Sequence, residues 1–148
     1  MRELTLDEVQ TLIKAGLDYA LGKGFPSSVA VVDMGGNLRG ALRPEKGRIV
    51  NILIAEKKAW TAVAFQRPTS MLTQRLGPGG TGYGLIHTDP RICIVPGGYP
   101  LMDRDGSVIG GIGASGGSAA EDQYTCLAGL KAAHFPTDFS DPLAKIQT

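Results

Sequence analysis

Two tight turns constrain this chain more than any other feature. In SSVAVVDMGGNLRGALR, residues 27–43, a β-branched and apolar run from Val29 to Met34 meets Gly35-Gly36-Asn37 and returns through Leu38 to Leu42. Glycine and asparagine accept the positive φ that a short hairpin demands. Further on, Asp103-Arg104-Asp105-Gly106 joins YPLM (99–102) to SVIGGIGA (107–114) in the same manner. Hairpins require antiparallel pairing, because a parallel neighbour needs a long crossover, usually a helix. RICIV (91–95), leading through Pro96-Gly97-Gly98 into YPLM, reads as one more strand.

Between these strands the apolar spacing changes to that of helices. Thr5-Leu6-Asp7-Glu8 is a capping box, and Leu6, Val9, Ile13, Leu17 and Ala20 follow at helical intervals to about Lys23. Gly24 ends that helix and Pro26 prevents its restart. IVNILIAEKKAWTAVAF, residues 49–65, predicts a second helix, apolar on nearly every side except around 56–58. Thr69 is expected to cap a shorter helix through Leu76, after which GPGGTGYG (77–84) breaks all regularity. A last helix is expected from about Ser118 to His134, with Ser118 and Glu121 forming a second capping box. The order is α-ββ-αα-βββ-α: an α+β fold with a single five-stranded antiparallel sheet and helices packed on it. Residues 1–148 form one domain. Its tail from 135, anchored by Phe135, Phe139 and Leu143, is expected to lie along a surface, its own or a neighbour's.

Charge excludes several function classes. With a net charge of +1 and its densest basic pair, Lys57-Lys58, beside Glu56, the chain has no phosphate-binding face for nucleic acid. Its apolar runs fall far short of the ~20 residues that a membrane-spanning helix needs. MRELTLDEVQ has neither the apolar centre of a secretory signal nor the basic character of a transit peptide, so cytoplasmic residence is the expectation. Cys93 and Cys126 stand apart with no C-x-x-C spacing, and no histidine-carboxylate cluster suggests a metal site; both cysteines read as small buried apolar residues.

GGIGASGGSAAEDQ, residues 110–123, poses the sharpest question. No Lys follows the glycines, so it is not a Walker loop. Gly111 to Gly116 match G-x-G-x-x-G, yet no parallel strand with an acidic tip follows, as a dinucleotide fold requires. The simpler reading is that Gly110, Gly111 and Gly113 let a helix lie close on the sheet. Ser115-Gly116-Gly117 then stand at a helix N-terminus, where N–H groups favour a carboxylate or phosphate.

SVAVVDMGGNL, AEKKAWTAVAF followed by RPTS, and PGGYPLMDRDGSVIGGIGASGGSAAEDQ together resemble the GlcG/HbpS-like family, which includes the C-terminal domain of PduO-type proteins. The likeness runs in unbroken order from residue 5 to about 134. It implies a profilin-like fold and a homo-oligomer. Some members bind haem or are linked to its degradation, and others accompany small-acid or diol catabolism. Lys58 and Thr61 lie on matched motif positions and share a helix face. A buried Lys wants an anion: a haem propionate or substrate carboxylate would serve, as would Glu56 or Asp122, and its head could instead reach solvent.

Three function classes follow. In the first, a haem-binding or haem-handling accessory protein, the ligand is anionic and Lys58, Thr61, His87, Ser115, Gly116 and Gly117 hold it. His87 is a candidate axial ligand on a loop, Tyr83, Tyr99 and Met34 are substitutes, and His134 serves its helix end. The second class is a cofactor-independent isomerase, lyase or hydrolase for a small carboxylate. There Arg67 clamps the substrate, His87 shuttles a proton and Ser115 with its neighbouring N–H groups stabilises an oxyanion. The third is an assembly protein without chemistry.

Overall fold

The computed structural model describes residues 1–139. Helix α1 (Leu6–Gly22) starts on the expected capping box: the Glu8 N–H donates to Thr5 Oγ1 at 3.1 Å, and the Thr5 N–H donates to Glu8 Oε1 at 2.9 Å. It ends on Gly24 at φ +90, where the Phe25 N–H reaches back to the Ala20 carbonyl at 3.0 Å. Helix α2 spans Ile49–Phe65, α3 is the single turn Thr73–Leu76, and α4 (Ala119–Ala132) opens on the Ser118–Glu121 capping box. Short 3-10 turns cover Thr69–Met71 and Tyr83–His87. None of the described helices is long and apolar enough to cross a membrane.

Strands β1 (Ser28–Asp33), β2 (Leu38–Leu42), β3 (Gly98–Met102) and β4 (Val108–Ser115) form an antiparallel sheet in the order β2-β1-β4-β3. Alternate side chains sort the sheet into two faces. Val29, Val31, Ile112 and Ala114 pack with Leu12 and Ile13 of α1 and Cys126 and Leu130 of α4. On the other face Val32 packs with Ala59 and Val63 of α2.

Among the described residues the sheet has four strands, not five. RICIV has the composition of a strand, but threonine hydroxyls take the partners a neighbouring strand would supply. Thr61 Oγ1 accepts the Cys93 N–H at 2.8 Å and donates to the Arg91 carbonyl at 3.2 Å. Thr73 donates to the Ile94 carbonyl, and Thr69 to that of Val95 at 2.8 Å. Thr69 therefore caps no helix: the turn follows Pro68, and the buried Thr69 hydroxyl also accepts the Gly98 N–H at 3.0 Å.

The glycines of β4 are the seat of α2. A Cβ on Gly111 would stand 2.5 Å from the Ala59 carbonyl oxygen, and one on Gly113 would overlap that of Ala55. Helix backbone thus rests directly on strand backbone. A Cβ on Gly110 would instead meet the Val32 carbonyl oxygen of the neighbouring strand and the side chains of Leu4 and Leu101. Of the expected tail anchors, Phe135 is buried and Phe139 packs on Tyr99 with ring centroids 5.5 Å apart. Leu143 lies outside the described residues.

Candidate functional site

The inner face of α2 carries a lysine into the core. Lys58 is 1% exposed, with Nζ 3.0 Å from Asp122 Oδ2 and 2.9 Å from the Ala114 carbonyl oxygen. Asp122, 4% exposed, accepts the Gly117 N–H at 2.9 Å and the Ser27 hydroxyl at 3.5 Å. Burial pushes the Asp122 carboxyl above its ordinary value, against the pull of Lys58 and the Gly117 N–H. Burial also pushes the Cys126 thiol up, so it stays a thiol whose Sγ donates to the Gly97 carbonyl at 3.2 Å. Of the anions open to Lys58, the structure uses Asp122.

The start of α4 is satisfied in the same internal way. Gly117 N–H goes to Asp122, and Ser118 N–H to Glu121 Oε1 at 2.8 Å. Gly116, at φ +143, lets the chain pass Ser27, whose Cα would lie 2.6 Å from an added Cβ. Ser115 is buried at the end of β4 and pairs across the sheet with Ser28, whose buried hydroxyl has no hydrogen-bond partner among the described residues. Lys58, Ser115, Gly116 and Gly117 therefore come together, around Asp122 rather than around an opening. Thr61 faces away from them, onto the 91–95 segment.

The remaining expected residues lie elsewhere. Gly113 sits over Ala55, so Ser115 lies toward the start of α2. Arg67 follows its other end, roughly 20 Å away by helix rise, and donates from Nε to the Phe65 carbonyl at 3.2 Å. His87 is exposed on its 3-10 turn, edge-on to Tyr83 with ring centroids 6.4 Å apart. Among the described residues no hydrogen bond or ion pair joins any two of Arg67, His87 and Ser115. His134, at φ +63, completes the end of α4: its N–H donates to the Lys131 carbonyl and that of Phe135 to the Leu130 carbonyl.

A second constellation lies on the outer face of α2. A groove of about 380 Å³ is lined by Val50, Leu53, Ile54, Glu56, Lys57 and Trp60 of the helix, with Gly36 and Arg91 beside them. Asp33 holds the β1–β2 turn by accepting the Gly35 and Asn37 N–H groups, each at 2.9 Å. That turn places Gly36, at φ +79, where an added Cβ would lie 2.6 Å from Trp60 Nε1. The Arg91 guanidinium lies over the Trp60 ring, 4.2 Å from its centroid. Asp89 grips the same guanidinium from the side through Nε at 2.9 Å and Nη2 at 2.8 Å, which holds the Asp89 carboxyl down at about 2. Sequence reasoning passed over this groove because its walls come from residues 36, 50–60 and 91. The lone tryptophan on a matched motif segment was the signal available.

A family model described as haem degrading protein HbpS-like matches residues 4–131. The chain belongs to the HbpS-like family. It is 36% identical over 120 residues to the corrinoid adenosyltransferase PduO of Citrobacter freundii, covering 80% of this chain but only 36% of that relative's length. Protein GlcG of Escherichia coli strain K12 is 30% identical over 112 residues, covering 76% of this chain and 81% of GlcG. Among solved structures, the PduOC:heme complex superimposes with a TM-score of 0.87 at 33% identity, covering 93% of this chain and all of that one. In this HbpS-like chain the glycine seat and the Lys58–Asp122 pair keep α2 in place, and the groove lies open along its outer face.

Proposed function

We propose that this protein binds or handles haem as an accessory protein, with the outer groove of α2 as the seat. The observation that carries the reading is the groove's apolar wall beside two cations, Lys57 and the Asp89-paired Arg91, with Glu56 at the border. Val50 and Leu53, 46% and 58% exposed, form with Ile54 a wall for the ring's hydrocarbon edge. Lys57 and Arg91 stand where propionates would need cations. The residues lining the groove include no His, Met, Cys or Tyr, so the candidate iron ligands are exposed His87 and Met34, near it in sequence at four residues before Arg91 and two before Gly36. Family membership and the fold shared with the PduOC:heme complex support the same reading. The half-exposed Leu38 and Leu42 on edge strand β2 support self-association.

Haemin titration of the purified chain tests the proposal. The expected result is a saturable, red-shifted Soret band at a fixed ratio per chain, displaced in position by His87→Ala or Met34→Ala, whichever supplies the ligand. An absorbance no different from haemin in buffer refutes it.

A further inference from the structure

The groove contains one device that haem binding does not by itself demand. Arg91 is an exposed arginine, 54% accessible at its side chain, yet its guanidinium is fixed twice. The Trp60 ring lies beneath it, and Asp89 holds it from the side through Nε and Nη2. The ring is fixed in turn, because Gly36 leaves it no competing side chain at the turn. An ordinary surface ion pair contributes little to stability and gains little from such support. What the support achieves is pre-orientation: Nε and Nη2 are engaged, while Nη1 has no partner among the described residues.

Lys57 adds a second cation. At 100° per residue, Leu53 and Lys57 lie on the centre line of the groove-facing stripe, with Ile54 and Glu56 at its two borders. Lys57 forms no ion pair among the described residues, Glu56 included. A ligand lying on Val50, Leu53 and Ile54 therefore meets Lys57 and the free edge of Arg91 as donors, with the Glu56 carboxylate at the stripe's border.

Resting on the groove assignment above, we propose that Arg91, oriented by Asp89 and Trp60 and assisted by Lys57, is the acid-group receptor of this groove. The site thereby selects flat apolar carboxylates over neutral molecules of the same shape. Arg91 and Lys57 touch the ligand, whereas Asp89 acts through Arg91 as a positioning residue.

The test uses 2-naphthoate and its neutral amide, titrated into the full chain by calorimetry and by the indole N–H resonance of Trp60, the only tryptophan. A charge-assisted hydrogen bond predicts naphthoate binding about ten-fold tighter than the amide, with saturable movement of the Trp60 resonance. Arg91→Leu should bring naphthoate down to the amide's affinity and leave the amide unchanged. Lys57→Gln should take part of the preference, and Asp89→Asn should weaken naphthoate alone. Equal binding of acid and amide overturns the proposal. So does naphthoate affinity indifferent to Arg91→Leu, heat without movement of the Trp60 resonance, or no binding at all. Haemin run in parallel separates the two ideas: naphthoate selection without a Soret response sinks haem alone, and the reverse sinks the receptor alone.

Discussion

Replacing Lys58 with methionine shortens the side chain by one heavy atom and removes its charge, which leaves Asp122 without its cationic partner at 4% exposure. Breaking a buried pair from one side costs about 3–5 kcal/mol, or roughly 10 °C in Tm for a domain of this length. Two contacts moderate the loss, since Asp122 keeps the Gly117 N–H and the Ser27 hydroxyl. The pH dependence distinguishes this account from simple loss of packing. Burial already raises the folded carboxyl above its unfolded value, and Lys58 is what opposes the rise. Without Lys58 the folded carboxyl holds its proton more strongly still. A raised carboxyl contributes stability that is complete below the unfolded pKa and lost as pH rises through the folded one. The deficit of Lys58→Met relative to wild type is therefore largest at pH 7 and shrinks toward pH 4. Urea unfolding of both proteins across that range measures it. The double variant Lys58→Met with Asp122→Leu should recover most of the loss, keeping a deficit of about 1–2 kcal/mol because the Gly117 N–H loses its acceptor. A single-variant cost below about 1 kcal/mol, or a deficit that grows on acidification, would refute the reasoning built on a buried charge.

Two further expectations follow from backbone geometry. Gly36→Ala combines a left-handed backbone with a Cβ placed against Trp60, so it should cost more than about 1 kcal/mol and shift the Trp60 emission maximum; unchanged emission and stability would mean the ring is not seated on the turn. His134→Gly should raise stability by about 0.5–1 kcal/mol in thermal unfolding, because φ +63 suits glycine at this helix end, and a loss of stability would show that the imidazole contributes more than the backbone strain costs.

The helices were legible because their signals are local. A capping box spans four residues, and Thr5–Glu8 and Ser118–Glu121 both form it in the structure. The two hairpins were legible for the same reason. The 91–95 segment misled because its composition suits a strand, while what removes it from the sheet lies about 20 to 30 positions earlier, in Thr61, Thr69 and Thr73. Lys58 could be recognised as a lysine needing an anion, but spacing alone could not choose between Glu56, Asp122 and a ligand. The groove was illegible altogether, since a turn glycine, a helix tryptophan and a loop arginine meet only after the sheet has formed.

The grip of α2 on the sheet comes from what β4 lacks, side chains at Gly111 and Gly113, and not from the residues on the helix's far side. Substitutions along that far side leave the helix–sheet contact at the two glycines untouched. The fold is shared with the PduOC:heme complex at a TM-score of 0.87 although identity is 33%. A side chain at either glycine would meet helix backbone at once, whereas the residues lining the groove face open space.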